Sequence, residues 1–327
     1  MVVYFHILFK IMRINIHIQE SNVNKKKIFI DGREGTTGLG IVSRLENRDD
    51  IELIVLPDEQ RKEPQERKKA INESDITILC LPDAAARESV SLCENENTVI
   101  LDASTAHRTA EGWVYGLPEL EKGQKEKIKN SKRIAVPGCH ASGFISLVSP
   151  LVKNGIIGKD ALLCCHSITG YSGGGKKMIA SYEAQPFEKK LEAPRQYALT
   201  QSHKHLPEMV KMTGLENAPV FCPIVSSFYS GMLVTVPLFK SQLLGGATAE
   251  TVKEVLRKQY DGSMNIEFVD DISDGGFADS NTLSGTDKMQ VSVSGNEERI
   301  ILMARYDNLG KGASGAAVQC LELVLNV

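Results

Sequence analysis

The sequence predicts an α/β protein in two parts: a doubly wound parallel sheet first, then an α+β unit with a mixed sheet. Three observations carry that prediction. Short apolar runs alternate with segments of helical spacing between residues 25 and 137, the pattern of right-handed βαβ units. Gly32, Gly35 and Gly38 fall where the first apolar run gives way to the first helical segment. After Pro137 the apolar runs lengthen, and two of them flank Gly295-Asn296, a hairpin signal. A chain of 327 residues has room for two domains, at about 100–200 residues each.

Taken in order, IFID at 28–31 is a short buried strand, because the glycines after it favour a strand over a helix. Residues 37–47 space Leu39, Val42 and Leu45 for a helix. IELIVL at 51–56 is the second strand, and the charged stretch 61–72 is a helix. DITILCL at 75–81, a helix over 84–93 and TVILD at 98–102 complete this half. Past Pro137, residues 139–151 open with small side chains and turn helical. A strand at 161–169 runs into the glycine-rich YSGGGKK. Strands follow at 220–226 and 232–238, a helix at 249–260, hairpin strands at 289–294 and 299–306, and a final helix over 314–327.

Composition narrows the function. With 38 basic and 41 acidic residues the net charge is −3. That leaves no global positive field for nucleic acid or an anionic membrane surface, although a local basic patch can still hold a small phosphorylated ligand. The 7 cysteines are odd in number and show no C-x-x-C. This argues against a disulfide scaffold or zinc knuckle and for a reducing compartment, hence the cytoplasm. The opening MVVYFHILFKIM is too short to span a bilayer. Lys10 interrupts it, and a signal peptide's basic start and small-residue cleavage site are missing. Residues 1–24, with His6 and His17, are read as an added arm or as sequence ahead of a start at Met12. They are left out of the functional argument.

The turn IFIDGREGTTG suits a phosphate. Glycines let it approach the backbone, and the helix N-terminus offers free N–H groups. Gly32, Gly35, Thr36, Thr37 and Gly38 are the expected cradle, although the spacing is G-x-x-G-x-x-G. An acidic residue closing the second strand would favour NAD. Here Leu56-Pro57-Asp58 is followed by Arg61 and Lys62. The basic pair suits a 2′-phosphate, so NADP (as NADPH) is expected, while Asp58 keeps NAD open.

The sharpest local feature is RIAVPGCHASG. Cys139 opens a helix after Pro-Gly, where the dipole and free N–H groups favour a thiolate nucleophile. Cys80, Cys164, Cys165 and Cys222 lie in apolar runs and read as core. The proton partner is sought in SHKHLPEM. His203 and His205, two apart on an extended chain, would point to opposite sides, so one of them should face Cys139. Glu208 is placed to orient an imidazole. His140 and His166 read as structural.

These segments, with ILCLPDAAARE, LDASTAHR, YGLPEL, SITGYSGGGKK and DNLGKGASGAAVQ, resemble the N-acetyl-γ-glutamyl-phosphate reductase family in its shorter type. The likeness runs from about residue 25 to the C-terminus. It places the chain beside the aspartate-semialdehyde and glyceraldehyde-phosphate dehydrogenases. It implies an NADP-binding Rossmann domain over 25–138, completed by a C-terminal helix returning at 307–327, and a cysteine-bearing domain over 139–306. Cys139 matches the family nucleophile and His205 the acid/base, with His203 beside it and Glu208 supporting the imidazole. Arg108 matches an arginine on the substrate's anionic end. Tyr197 and Ser142 are expected on the substrate side, and Asn308 near the nicotinamide. The resemblance implies reduction of an acyl phosphate to an aldehyde in arginine biosynthesis by a metal-free homo-oligomer, a dimer or tetramer. The rival readings are aspartate-semialdehyde dehydrogenase, an aminoadipyl-phosphate reductase, and a non-catalytic NADP-binding regulator, which should lack Cys139 or the histidine pair.

Overall fold

The computed structural model describes residues 25–186 and 188–327. The N-terminal arm lies outside the described residues.

The apolar runs of the first half become β1 (Lys26–Asp31), β2 (Ile51–Ile54), β3 (Ile76–Leu79) and β4 (Val99–Asp102). Two short strands follow, β5 (Val114–Tyr115) and β6 (Arg133–Ala135). They form one six-stranded sheet of order β2-β1-β3-β4-β6-β5, parallel throughout. Both faces are covered, which is why Ile28, Ile30, Ile78 and Leu101 on one face and Phe29, Leu79 and Ile100 on the other are all buried. The helices between strands are α1 (Thr36–Leu45), α2 (Pro64–Glu73), α3 (Asp83–Leu92) and α4 (Gln124–Lys129). The chain leaves β1 toward β2 on one side and returns to β3 on the other. A crevice opens at such a reversal, beyond the carboxyl ends of the strands.

Two expectations need adjusting here. The second strand stops at Ile54, short of 56. The helix expected from 61 begins at Pro64, whose fixed φ suits the first helical position and leaves Arg61 and Lys62 in the preceding turn.

The second sheet has the order β11-β12-β13-β10-β7-β9-β8. Its central strands are β7 (Cys164–Gly170), β9 (Val220–Ser226), β10 (Met232–Phe239) and β13 (Arg299–Tyr306). β8 (Arg195–Gln196), β11 (Ile266–Phe268) and β12 (Met289–Gly295) finish it. β7–β9 and β11–β12 are parallel and the other pairings antiparallel, so the sheet is mixed. One face is covered by α5 (Cys139–Lys153) and α8 (Ala249–Tyr260). Phe144, Leu147, Val148 and Leu151 of α5 pack on Val234, Val236, Leu302 and Ala304.

Two further helices were not legible: α6 (Gly175–Glu183), inside what read as a glycine loop, and α7 (Leu206–Thr213). The last helix, α9 (Gly315–Leu325), returns to the first sheet. Ala316, Ala317, Cys320 and Leu321 are buried against Ile28, Ile41 and Ile134, as the family plan implies. A π-helical turn over Gly310–Ser314 delivers the chain to it.

Candidate active site

A cavity of about 420 Å3 lies where the carboxyl ends of β1, β3 and β4 face the start of α5. Gly35, Thr36, Thr37, Ser104 and Arg108 line it from the first sheet. Cys139, His140, Tyr197, His203, Lys204, His205, Gly173, Gly174 and Asn308 line it from the other side.

The glycine turn is built as its sequence suggests. Gly32 has φ +85°, and a side chain there would run into the backbone of Cys80. At Gly38 a Cβ would sit 2.6 Å from the Gly32 carbonyl, so the turn and α1 close only on glycine. Thr36, at the first position of α1, has a buried hydroxyl with no partner. Beside it the first-turn N–H groups have no intrahelical acceptor. An orphaned hydroxyl and free amides at a helix N-terminus fit an anionic diphosphate, and therefore a dinucleotide cofactor. Gly32 and Gly38 shape the turn, and only Gly35, Thr36 and Thr37 line the main cavity. Arg61 and Lys62 line a second cavity of 240 Å3 with Gly32, Arg33 and Leu56.

Cys139 is the first residue of α5, with Gly138 as its N-cap. The expected lowering of the thiol is reversed in sign. Burial raises it above the usual cysteine value of 9.0, while the Arg108 cation and the His140 N–H pull it down without prevailing. The His205 imidazole, which lines the same cavity, is shifted in the opposite direction. His205 is buried and held well below 6.5, by burial first and then by Arg108. Burial therefore disfavours the charged form of each. His205 Nδ1 is buried without a partner. Its Nε2 reaches the peptide ahead of Cys139, lying 2.6 Å from where a Cβ on Gly138 would stand.

The expectation that His203 and His205 point to opposite sides is corrected. The segment is a helix-starting turn, not a strand. His205 caps α7, its N–H donates to His203 Nδ1 at 3.2 Å, and the Leu206 N–H donates to the His203 carbonyl at 3.0 Å. Both rings line the cavity, with centroids 4.7 Å apart. His140 joins them at 5.6–5.8 Å. It bonds Ser167 Oγ and Tyr197 Oη, each at 2.7 Å, and burial depresses it to about 3. Tyr197 thus lines the cavity with its hydroxyl on His140.

Glu208 does not chiefly orient the imidazole. It lies 3.9 Å from His205 Nε2. Its closer partners are Arg108 Nη1 at 2.8 Å, Tyr115 Oη at 2.9 Å and the Gly138 N–H at 3.2 Å. Arg108 in turn donates to the carbonyls of Val136 at 2.9 Å and Ala103 at 3.1 Å. This buried pair clamps Val136 and Gly138, on either side of Pro137, and so aims the peptide that leads into Cys139. Breaking such a pair costs about 3–5 kcal/mol, because it strands a buried charge. Arg108 faces the cavity, but every nitrogen of its guanidinium already donates to protein.

Ser142 is corrected as a substrate contact. Its hydroxyl bonds the Gly138 carbonyl at 3.0 Å within the helix, and it does not line the cavity. Asn308 lines the cavity with both ends engaged, accepting from the Gly231 N–H at 2.8 Å and donating to Ser172 Oγ at 3.0 Å.

Two lysines at or beside the cavity escaped the sequence analysis. Lys204, between the histidines, lines the cavity together with Asp83, whose carboxyl its charge helps to hold low. Its signal was the central residue of HKH. Lys311 is fully buried and bonds Glu119 at 2.8 Å and Gln319 at 2.6 Å. It anchors the π turn whose Gly312 packs against Cys139. Among the described residues no cluster of His, Cys, Asp and Glu is arranged to hold a metal ion.

Comparison with known proteins agrees with this geometry. Residues 27–131 match the semialdehyde dehydrogenase, NAD binding domain, and residues 139–308 the semialdehyde dehydrogenase, dimerisation domain. N-acetyl-gamma-glutamyl-phosphate reductase 2 of Nostoc sp. is 45% identical over 93% of this chain and 98% of its own. The Rhizobium meliloti reductase is 44% identical over 92% and 99%. The fold resembles aspartate semialdehyde dehydrogenase II of Vibrio cholerae, solved with ASA, at TM-score 0.70 and 16% identity, covering 92% of this chain and 98% of that one. It also resembles the Candida albicans aspartate semialdehyde dehydrogenase with NADP, at TM-score 0.64 and 13% identity, over 92% and 98%. The chain therefore belongs to the N-acetyl-gamma-glutamyl-phosphate reductase family of semialdehyde dehydrogenases.

Proposed function

We propose that this enzyme reduces N-acetyl-L-glutamyl 5-phosphate to N-acetyl-L-glutamate 5-semialdehyde, with NADPH as cofactor and Cys139 as nucleophile. The observation that carries the residue assignment is that Cys139, at the mouth of α5, lines one cavity with His205, whose Nδ1 is buried without a partner. Burial raises the Cys139 thiol and lowers the His205 imidazole, which suits a thiol that gives up its proton to the imidazole as it attacks. As the sulfur attacks the acyl carbon, the proton passes to His205 and phosphate leaves, so that a thioester remains on Cys139. When bound, the nicotinamide cofactor supplies hydride to that carbon. His205 returns its proton to the thiohemiacetal oxygen, then retrieves it as the aldehyde departs and Cys139 is released. Lys204 and the remaining N–H groups of Arg108, both facing the cavity, are the donors for the phosphoryl group.

The cofactor reading rests on Thr36, Thr37 and Gly35 for the diphosphate, and on Arg61 and Lys62 for a 2′-phosphate. Residues 25–138 with 307–327 act as the cofactor unit, and 139–306 as the catalytic unit. The assembly reading rests on the uncovered face of the second sheet. There the register aligns Ile224, Ile168 and Leu233 in one row, and Val220 and Ile301 are 54% and 38% exposed. A second copy of the chain is the proposed cover, giving a dimer or, as a dimer of dimers, a tetramer. The free thiols suit the cytoplasm.

The deciding experiment is the reaction run backwards. Purified enzyme with NADP and inorganic phosphate is offered N-acetylglutamate, aspartate and aminoadipate semialdehydes in turn. The first should be used with the highest kcat/KM. A preference for either other aldehyde overturns the substrate assignment, and use of none supports the non-catalytic reading.

A further inference from the structure

The hydroxyl of Tyr306, the last residue of β13, is set into the first turn of α5. It donates to the Cys139 carbonyl at 2.5 Å and accepts from the Gly143 N–H at 3.1 Å. Those are the two groups, four residues apart, that an α-helix joins directly. The helix is regular from Cys139 onward, so the hydroxyl braces this first turn from the side by bonding both of its groups. The site is shaped for this contact, since a Cβ on Gly143 would lie 2.7 Å from Tyr306 Oη. The ring is fully buried in the core of the second sheet and has no room to swing away.

We propose that Tyr306 is a positioning residue for Cys139, fixing the direction in which its side chain leaves the helix by holding its carbonyl. Gly312 bounds that side chain on one flank, where a Cβ would sit 3.0 Å from Cys139 Cβ. Tyr306 itself need not touch substrate or cofactor. Without its hydroxyl, the Cys139 carbonyl loses its side-chain donor, the first turn is no longer braced and the sulfur moves. Misplacement of about 1 Å in such a group costs as much as 10²-fold.

The same helix supplies a control. Tyr260 is also buried and donates to the Ser146 carbonyl at 2.6 Å, seven residues beyond Cys139. Tyr306→Phe and Tyr260→Phe each remove one phenolic hydroxyl from α5 and should lower the thermal midpoint alike. Only Tyr306→Phe should lower kcat, by about 10–100-fold with KM within about threefold. It should also change the rate of iodoacetamide alkylation of Cys139 on free enzyme at least threefold across the pH profile. If Tyr306→Phe fails to fold, Gly143→Ala displaces the hydroxyl while keeping the tyrosine and should give the same signature. Equal kcat and alkylation in the two phenylalanine variants overturns the inference. It rests on Cys139 being the nucleophile, which Cys139→Ser tests separately. An inactive Cys139→Ser beside a fully active Tyr306→Phe removes the positioning role alone, whereas an active Cys139→Ser removes both.

Discussion

The two walls of the cavity are built on opposite plans. The wall from β1 and α1 is backbone: a glycine turn, the free amides of a helix start and one threonine hydroxyl buried without a partner. The wall around Cys139 is a network of side chains already satisfied. Glu208 holds Arg108 and the Gly138 N–H, and His140 holds Ser167 and Tyr197. One wall is completed by what binds to it. The other is set before anything binds, with His205 Nδ1 buried and left without a partner. Pre-set geometry suits the wall where bonds form and break, since displacement there is read directly in the rate. A cradle that approaches phosphates through backbone needs only to be smooth and unobstructed.

The largest test of that contrast is Cys139→Ser. The oxygen nucleophile gives no thioester, so turnover should drop at least about 10³-fold, or ~4 kcal/mol of transition-state stabilisation. NADPH binding, read by fluorescence titration, should stay within twofold, because the other wall is untouched. Activity within tenfold of the parent enzyme would sink the assignment. Cys80→Ser lies on the backbone wall and should change stability alone.

His205→Asn comes next. Loss of acid/base assistance should lower kcat by about 10²–10⁴-fold. His203→Asn should cost less and act mainly on KM, because His203 Nδ1 accepts the His205 N–H and the ring is half-buried. Steady-state kinetics of the two variants decide the point. A larger kcat loss for His203 swaps the roles.

Why these roles were only partly legible follows from what each residue needs. Gly32, Gly38 and Cys139 announce themselves in sequence, because a turn without Cβ and a thiol at a helix start are local requirements. Glu208 and Arg108 do not, being 100 residues apart. Nothing local says that they meet over Gly138 rather than on an imidazole or a substrate. Ser142 was misplaced for a related reason. A helical serine can turn its hydroxyl back to the carbonyl four residues earlier, and only the packed helix shows that it does. The strands of the first sheet were legible to within two residues, since short runs buried on both faces leave a clear apolar signal. The short β5 and β6 carry too few residues for any period.

Protonation gives a third way to sharpen the contrast. The histidines of the pre-set wall are buried neutral, His140 near 3 and His205 well below 6.5. In the unfolded chain each titrates at about 6.5. As pH falls below 6.5, the unfolded state binds protons that the folded state refuses, so stability falls. Above 6.5 both states are neutral and these groups contribute nothing to the pH dependence. At pH 5 the His140 shift costs about 2 kcal/mol, and His205 adds in the same direction. Urea midpoints at pH 7.5 and 5 should separate accordingly, and His140→Gln should narrow the separation. An undiminished separation in that variant would place the acid sensitivity elsewhere.

The smallest expected effect lies on the backbone wall, at its exposed rim. Arg61 and Lys62 border the smaller cavity, and Arg61 lies 3.6 Å from Asp58. That pairing turns the one carboxylate suited to a ribose 2′-OH toward a cation, which favours a phosphate in its place. Arg61→Ala with Lys62→Ala should therefore act twice, removing the cations that hold the 2′-phosphate and releasing Asp58. The preference for NADPH over NADH should fall about tenfold, the modest scale of solvent-exposed charged contacts. The fall should come partly from a lower KM for NADH. Because the pair is exposed, the preference of the parent enzyme should also shrink as salt rises from 0.01 to 0.15 M, while that of the double variant stays flat. A double variant that keeps the parent's preference at low salt would show that cofactor choice is made deeper in the turn, by Arg33 or the backbone itself.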